Sequence, residues 1–184
     1  MFASNGEWVL EDVFYNWDLG VLVIPAFHAP FSNNAVSFIM SIPYSNSSLY
    51  TVIAGSMTAR GGYHDSTTGI DALFNAPAAI TIVFGVIGTT LNPMLSSTGN
   101  DTPYGYLVAD TLNYCVRFVN ATGTHGTSSV LGLCGNYGYR DGLGSNARFS
   151  NLNSVRVDGF DGVGGDCGFR QLLRAGDVLQ LFVR

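Results

Sequence analysis

The chain has 184 residues, of which 47% are hydrophobic and 12% aromatic, so it can form one domain with a core and is not a disordered tail. Only 11% of the residues are charged, all eight basic residues are arginines, and the formal net charge is -5. This composition argues against a nucleic-acid partner, because binding a phosphate backbone requires a basic cluster.

The first 55 residues are predicted to form one degenerate four-stranded unit. Four short apolar runs are separated here by Asn, Pro and Ser turns, and they are Gly6–Phe14, Leu19–Phe27, Ala35–Ile42 and Ser48–Gly55. Short runs bounded by turn residues are typical of antiparallel sheets. The apolar run at Leu19–Phe27 contains Pro25 and falls far short of the roughly 20 residues that cross a bilayer. No membrane span is therefore expected.

Two glycine-rich stretches, Val52–Pro77 and Val130–Leu152, have similar sequences and are called here the first and second glycine stretches. Their alignment pairs Gly62, Tyr63, His64, Asp65, Ala72 and Phe74 with Gly138, Tyr139, Arg140, Asp141, Ala147 and Phe149. The duplication has two interpretations: a binding loop kept for chemistry, or the connector of a repeating structural unit. Because Asp65 and Asp141 are equivalent, we expect them to cap turns rather than to form a catalytic pair.

Four consecutive antiparallel strands are predicted between and around the two stretches, at Ala79–Val83, Tyr106–Ala109, Tyr114–Val119 and Thr127–Leu133. The segment Asp110–Asn113 is predicted to be a turn, because Asp and Asn side chains bond to nearby backbone groups in turns. A polar insert, Gly85–Gly105, separates the first two strands. It lengthens the repeat to 76 residues between Asp65 and Asp141, beyond the roughly 40 to 50 of common propeller blades.

The sequence YLVADTLNYCVRFV, followed by the second glycine stretch, resembles an NHL repeat, the unit of a β-propeller family. Asp110, Asn113 and Arg117 occupy the Asp, Asn and Arg positions of the family motif, and Tyr114 stands where His is common. The resemblance covers Leu49–Asp158. It implies that each glycine stretch connects the outermost strand of one blade to the innermost strand of the next. The connector interpretation is therefore favoured, with Phe74 and Phe149 buried between blades.

The fold class implied by the resemblance is all-β and β-propeller-like, with consecutive four-stranded antiparallel blades in an incomplete ring. Residues 1–55 would form a degenerate first blade. Residues 56–135 would form an NHL-like blade with its connector and the insert at 85–105, and residues 136–184 the next connector and a degenerate or truncated third blade. In this last segment Asp166-Cys167-Gly168 and Leu172-Leu173-Arg174 fall where the motif's turn and arginine belong. Closed propellers have about four to eight blades, so we expect a fragment of a larger or composite propeller.

No catalytic, cofactor-binding or metal residues are predicted. The sequence lacks nucleophile-elbow, phosphate-loop and dinucleotide motifs, and its three histidines fall in unrelated segments, at His28, His64 and His125. The three cysteines are too widely spaced for a zinc ribbon. We expect Cys115, Cys134 and Cys167 to be ordinary buried thiols, and Arg117 to be a strand residue paired across blades rather than a substrate clamp.

The sequence favours a non-enzymatic binding scaffold that recognises a protein partner, or missing propeller blades, through its loops, since loops on rigid frameworks carry recognition. Self-association is also expected, because an incomplete ring leaves strand edges open. The alternative is the remnant of a six-bladed propeller enzyme, of lyase or hydrolase type, acting on a small molecule in the central channel. That alternative requires inward-facing His, Glu and Asp residues from blades outside this sequence.

Overall fold

A computed structural model describes residues 7–16, 19–29, 36–84, 103–157, 169–173 and 179–183. These residues form twelve β-strands and three short 3-10 helices, and they contain no α-helix. The all-β prediction is therefore confirmed, and all but one of the strand pairings are antiparallel. Within the same residues there is no helix of the length and apolar character that crossing a membrane requires.

The first sheet has five strands, which are β1 (Glu7–Leu10), β2 (Phe14–Asn16), β3 (Val21–Ala29), β4 (Val36–Pro43) and β5 (Thr51–Ser56). Its order is β1-β3-β4-β5, and β2 pairs with the same strand β3. Three of the four predicted runs are thus confirmed as strands, whereas the first run is broken at residues 11–13. The break lies opposite Ile24 and Pro25, and proline has no N–H to donate to a neighbouring strand.

The second sheet is the predicted run of four antiparallel strands, and its members are β6 (Pro77–Phe84), β7 (Pro103–Asp110), β8 (Cys115–Asn120) and β9 (Thr127–Leu131). The predicted turn between β7 and β8 is a 3-10 turn, Thr111–Asn113, followed by Tyr114 in the left-handed region at φ 58°. Strand β7 begins at Pro103, so the last three residues assigned to the polar insert belong to a strand. The rest of the insert lies outside the described residues.

The third sheet differs from the prediction. It contains β10 (Val155–Val157), β11 (Phe169–Leu173) and β12 (Leu179–Val183) in the order β10-β12-β11, with β10 parallel to β12. The expectation of antiparallel pairing is therefore wrong for β10 and β12, while the degenerate or truncated third blade expected for residues 136–184 stays a prediction. The sequence between β10 and β11 is rich in glycine, and glycine supplies no side chain to pack in a strand. The turn predicted at Asp166-Cys167-Gly168 lies outside the described residues.

Both faces of the second sheet are buried. One face packs against the first sheet, through an apolar cluster that includes Ile39 and Ile53 from the first sheet and Ile80 and Val108 from the second. The other face contributes Leu107, Val116 and Phe118 to a second cluster, which β10 and the second glycine stretch complete. Successive residues of β6, β7 and β8 point to opposite faces. Their nearly continuous apolar sequence therefore reflects burial on both sides.

The two predicted anchor rings lie on these opposite faces. Phe74 is fully buried in the cluster between the first and second sheets. Phe149 is 4% exposed in the cluster on the other side of the second sheet. Each glycine stretch therefore contributes one buried ring to an apolar layer against the second sheet, and the two rings lie on opposite faces of that sheet.

Cys115 and Cys134 form a disulfide with an S–S distance of 2.03 Å, so the expectation of ordinary thiols is wrong for these two residues. The β8–β9 pairing sets Val116 opposite Leu131, which brings the chain just before β8 close to the chain just after β9. Cys167 lies outside the described residues. The number and spacing of the cysteines do not predict this pair, because the pairing depends on the register of β8 and β9.

Replacing both Cys115 and Cys134 with Ser is expected to lower the free energy of unfolding by about 3 kcal/mol, because the bond closes a loop with a sequence separation of 19 and restricts the unfolded chain. Urea denaturation with and without a reductant measures the effect. Reductant should lower the stability of the wild type and leave the double variant unchanged. A wild type insensitive to reductant would contradict this role for the bond.

Candidate functional site

The two glycine stretches fold in the same way. The N–H of Gly62 donates to the Phe74 carbonyl at 3.0 Å, and the N–H of Gly138 donates to the Phe149 carbonyl at 3.1 Å. An isolated β-bridge also closes each stretch, between His64 and Leu73 in the first and between Arg140 and Arg148 in the second. Between the two bridged residues, each stretch forms a 3-10 turn followed by a buried alanine. The sequence repeat is therefore a repeat of backbone structure.

Arg117 on β8 is fully buried, and each of its three guanidinium nitrogens has a partner. Its Nε and Nη2 lie 2.9 and 2.7 Å from Oδ1 of Asp65. Its Nη1 donates to Oδ2 of Asp110 at 2.9 Å and to the Leu73 carbonyl at 3.0 Å. Its Nη2 also donates to the His64 carbonyl at 2.8 Å. The guanidinium thus joins the first glycine stretch to β8, and all three of its nitrogens are already paired within the protein.

Two aromatic rings of the first glycine stretch flank the same guanidinium. Its central carbon lies 4.8 Å from the Phe74 ring centroid and 5.1 Å from the Tyr63 ring centroid. Both distances fall within the roughly 6 Å range of cation–π attraction. The Tyr63 hydroxyl also donates to Oδ2 of Asp65 at 3.3 Å. Both rings therefore stabilise the charged group while the cluster keeps it buried.

Asp110 at the end of β7 is the buried counter-ion of Arg117. Its carboxylate also accepts hydrogen bonds from the Asn75 backbone N–H and from Nδ2 of Asn113, each at 2.8 Å. The same Nδ2 of Asn113 donates to the Gly62 carbonyl at 2.7 Å. Burial raises the pKa of Asp110 to about 6, although Arg117 and the two donors lower it. The carboxyl is thus mostly ionised at neutral pH and paired within the structure.

Asp65 completes the group, which we call the arginine cluster: Tyr63, Asp65, Phe74, Asp110, Asn113 and Arg117. Oδ2 of Asp65 accepts from the backbone N–H and the hydroxyl of Ser129 on β9, at 3.0 and 2.9 Å. The expectation that Asp65 caps a turn is therefore wrong, since its carboxylate bridges β8 and β9. Its repeat partner Asp141 is exposed, and within the described ranges it makes no hydrogen bond or ion pair.

The structure brings five of the seven residues singled out from the sequence into this cluster, and it places Asp141 and Phe149 in the second glycine stretch. Sequence reasoning missed Tyr63, Ser129 and the two backbone carbonyls. Tyr63 could have been found, because it is part of the repeated Gly-Tyr-x-Asp pattern. In the part of the chain that the structure describes, no three His, Cys, Asp or Glu side chains are grouped to hold a metal ion.

The raised pKa of Asp110 predicts a loss of stability as the pH rises. A carboxyl that titrates near 6 when folded and near 3.8 when unfolded binds its proton more tightly in the folded state. The stabilisation that this tighter proton binding provides is complete below the pKa of the unfolded state, and it is lost as the pH rises through the pKa of the folded state.

We therefore expect the free energy of unfolding of the wild type, relative to that of Asp110→Asn, to fall from about pH 4 to about pH 7. Chemical denaturation of both proteins at several pH values measures this difference. A wild-type stability that stays constant or rises with pH relative to Asp110→Asn would contradict the expectation.

The comparisons with known proteins bear on the fold alone. No family model matches the chain, and a search of curated proteins finds no significant match. A solved structure named "Putative phosphatase", from Bacteroides thetaiotaomicron VPI-5482, is 21% identical with a TM-score of 0.52, over 79% of this chain and 29% of that one. An auxiliary nutrient binding protein from Bacteroides ovatus ATCC 8483 is 12% identical with a TM-score of 0.50, over 81% of this chain and 54% of that one. This chain therefore spans about a third to a half of the structures it resembles.

Proposed function

We propose that this chain is an NHL-like segment of a β-propeller and serves as a non-enzymatic binding scaffold. The observation that carries the proposal is the arginine cluster. Three residues match the family motif: Asp110, Asn113 and Arg117. Their side chains form hydrogen bonds with one another and with the first glycine stretch. A fully buried guanidinium whose nitrogens are all paired is not available to a substrate. The motif residues thus join the first glycine stretch to the second sheet.

The recognition surface in this proposal is the second glycine stretch. It carries four exposed large apolar side chains within a short loop, at Leu133, Tyr137, Tyr139 and Leu143. Apolar side chains that gather on one part of a surface mark interaction sites. Tyr137 is held by an edge contact with Tyr114, at a centroid distance of 5.4 Å. The partner is a protein, or further blades of a larger propeller.

Two further observations support a role within a larger assembly. The chain matches only part of each longer solved structure, as a segment of a larger propeller would. The neighbour from Bacteroides ovatus is named as a nutrient binding protein, a binding role in agreement with a scaffold. Among the described residues, no arrangement of side chains favours the lyase or hydrolase alternative.

Self-association of the purified 184-residue chain tests this proposal. We expect sedimentation velocity to show concentration-dependent association, because the exposed side chains of the second glycine stretch would be covered in the assembled protein. The double variant Tyr139→Ser, Leu143→Ser should weaken the association. The control variant Leu49→Ser, Ile70→Ser replaces two other exposed apolar side chains, which lie outside that stretch, and should leave the association unchanged. A wild type that remains a monomer at micromolar concentration would contradict the proposal.

A further inference from the structure

The second glycine stretch has counterparts of the groups by which the first glycine stretch contacts Arg117. Five groups of the first stretch contact that guanidinium: the Asp65 carboxylate, the His64 and Leu73 carbonyls, and the Tyr63 and Phe74 rings. Their repeat equivalents are Asp141, Arg140, Arg148, Tyr139 and Phe149. The bridge that aligns the two carbonyls is also repeated, with N–H to O distances of 3.2 and 2.9 Å between Arg140 and Arg148.

These repeated groups are not used in the same way. Asp141 is exposed and has no ion pair within the described residues, whereas Asp65 contacts Arg117 at 2.7 Å. Tyr139 is 65% exposed and Tyr63 is 47% exposed. Each bridging carbonyl accepts one backbone hydrogen bond and keeps a second lone pair. The second stretch thus presents acceptors that, in the first stretch, hold an arginine.

Among the described residues, the third sheet has a different strand at the position that β8 holds in the second sheet. In the second sheet β8 is the third strand and runs parallel to β6, whereas the third position of the third sheet is held by β11, which runs antiparallel to β12 and hence to β10. The strand that runs parallel to β10 is instead β12, at the second position, so the described residues do not repeat the placement of β8 in this sheet.

We propose that the second glycine stretch is a binding site for an arginine side chain presented by a β-strand of a partner protein. The Asp141 carboxylate and the Arg140 and Arg148 carbonyls would accept its N–H groups, with the Tyr139 ring over its face. Arginine fits better than lysine, because a planar fork of five donors matches acceptors that are fixed around it. The inference rests on the scaffold role proposed above and names the chemistry of its partner.

The positive charges of the stretch itself bear on the affinity. Nη1 of Arg148 already donates to the Ser145 and Ala147 carbonyls, each at 2.6 Å, so this side chain is bound to its own loop. Arg140 adds a like charge to the site, and like charges repel. We therefore expect Arg140→Gln to tighten the binding of an arginine side chain, a direction that a purely structural role for the loop does not predict.

The test is an NMR titration of the full 184-residue chain with N-acetyl-arginine amide, compared with N-acetyl-lysine amide. We expect saturable shifts of the Gly138 and Gly142 amide signals with the arginine compound and weaker shifts with the lysine compound. Asp141→Asn should weaken binding about tenfold, since it removes a charge-assisted hydrogen-bond acceptor. Asp71→Asn, which changes an exposed carboxylate of the first stretch, is the matched control and should bind like the wild type.

Several outcomes would overturn the inference: no saturable binding, equal binding of the two compounds, or an equal loss in the Asp71 and Asp141 variants. Binding that appears only after Arg174→Gln would assign the site to an arginine of this chain. It would also contradict the proposal that a partner protein supplies the arginine. If arginine binding fails while the chain still self-associates, this inference alone falls. A monomeric wild type would count against the scaffold role itself.

Discussion

Arg117→Met should be among the most damaging single substitutions, lowering the free energy of unfolding by about 3 to 5 kcal/mol, the usual cost of removing one partner of a buried ion pair. Methionine fills similar space but leaves the fully buried Asp110 carboxylate without its counter-ion. It also leaves the His64 and Leu73 carbonyls without their side-chain donor. Urea denaturation of the wild type and the variant measures the loss.

The matched control is Arg156→Met, because Arg156 pairs with Asp12 at 3.2 Å in a more exposed setting. An exposed pair contributes about 0 to 1 kcal/mol, so this variant should be nearly as stable as the wild type. Arg117→Lys should recover only part of the loss, since one ammonium group with three donors cannot reach all four acceptor atoms that Arg117 contacts. An Arg117→Met variant no less stable than the Arg156 control would refute the described cluster.

Phe74→Ala is expected to lower the free energy of unfolding by about 3 to 5 kcal/mol, the range found for truncating a buried aromatic ring. The ring is fully buried between the first and second sheets and also lies 4.8 Å from the Arg117 guanidinium. Truncation therefore leaves a cavity and removes a cation–π contact. Phe149→Ala should cost a similar amount, because its ring holds the equivalent position on the other face of the second sheet.

Ile70→Ala provides the control for both ring truncations, because Ile70 belongs to the first glycine stretch but is exposed. Surface substitutions of this kind change stability by about 0.5 kcal/mol or less. Thermal and chemical denaturation of the three variants should therefore separate the two rings from Ile70. Ring variants as stable as the Ile70 control would show that the glycine stretches do not anchor the sheets.

Local patterns were sufficient to predict the strands of the second sheet. Apolar runs bounded by turn residues located β6 to β9, and the Asp and Asn residues located the turn before β8. These features depend on neighbours in sequence, so a single sequence contains them. The repeat likewise located the two buried rings, because Phe74 and Phe149 follow the same pattern of glycine and alanine.

The features that were missed depend on contacts between distant segments. The order of the third sheet is set by β12, which inserts beside β10 and is remote from it in sequence. The disulfide depends on the β8–β9 register rather than on cysteine spacing. The role of Asp65 depends on Arg117 and Ser129, which lie 52 and 64 positions further along the chain. No local pattern reports such pairings, so turn capping was the nearer but mistaken inference for Asp65.

The most direct test of the account is a double-mutant cycle that measures the coupling between Asp65 and Arg117. The central claim is that the motif residues join the first glycine stretch to the second sheet. It predicts that Asp65→Asn and Arg117→Met are non-additive, with a coupling energy of about 2 kcal/mol, within the range for residues in one network of hydrogen bonds and ion pairs. The parallel cycle of Asp141→Asn with Arg117→Met should show no coupling. Additive effects of Asp65→Asn and Arg117→Met, to within about 0.5 kcal/mol, would contradict the claim.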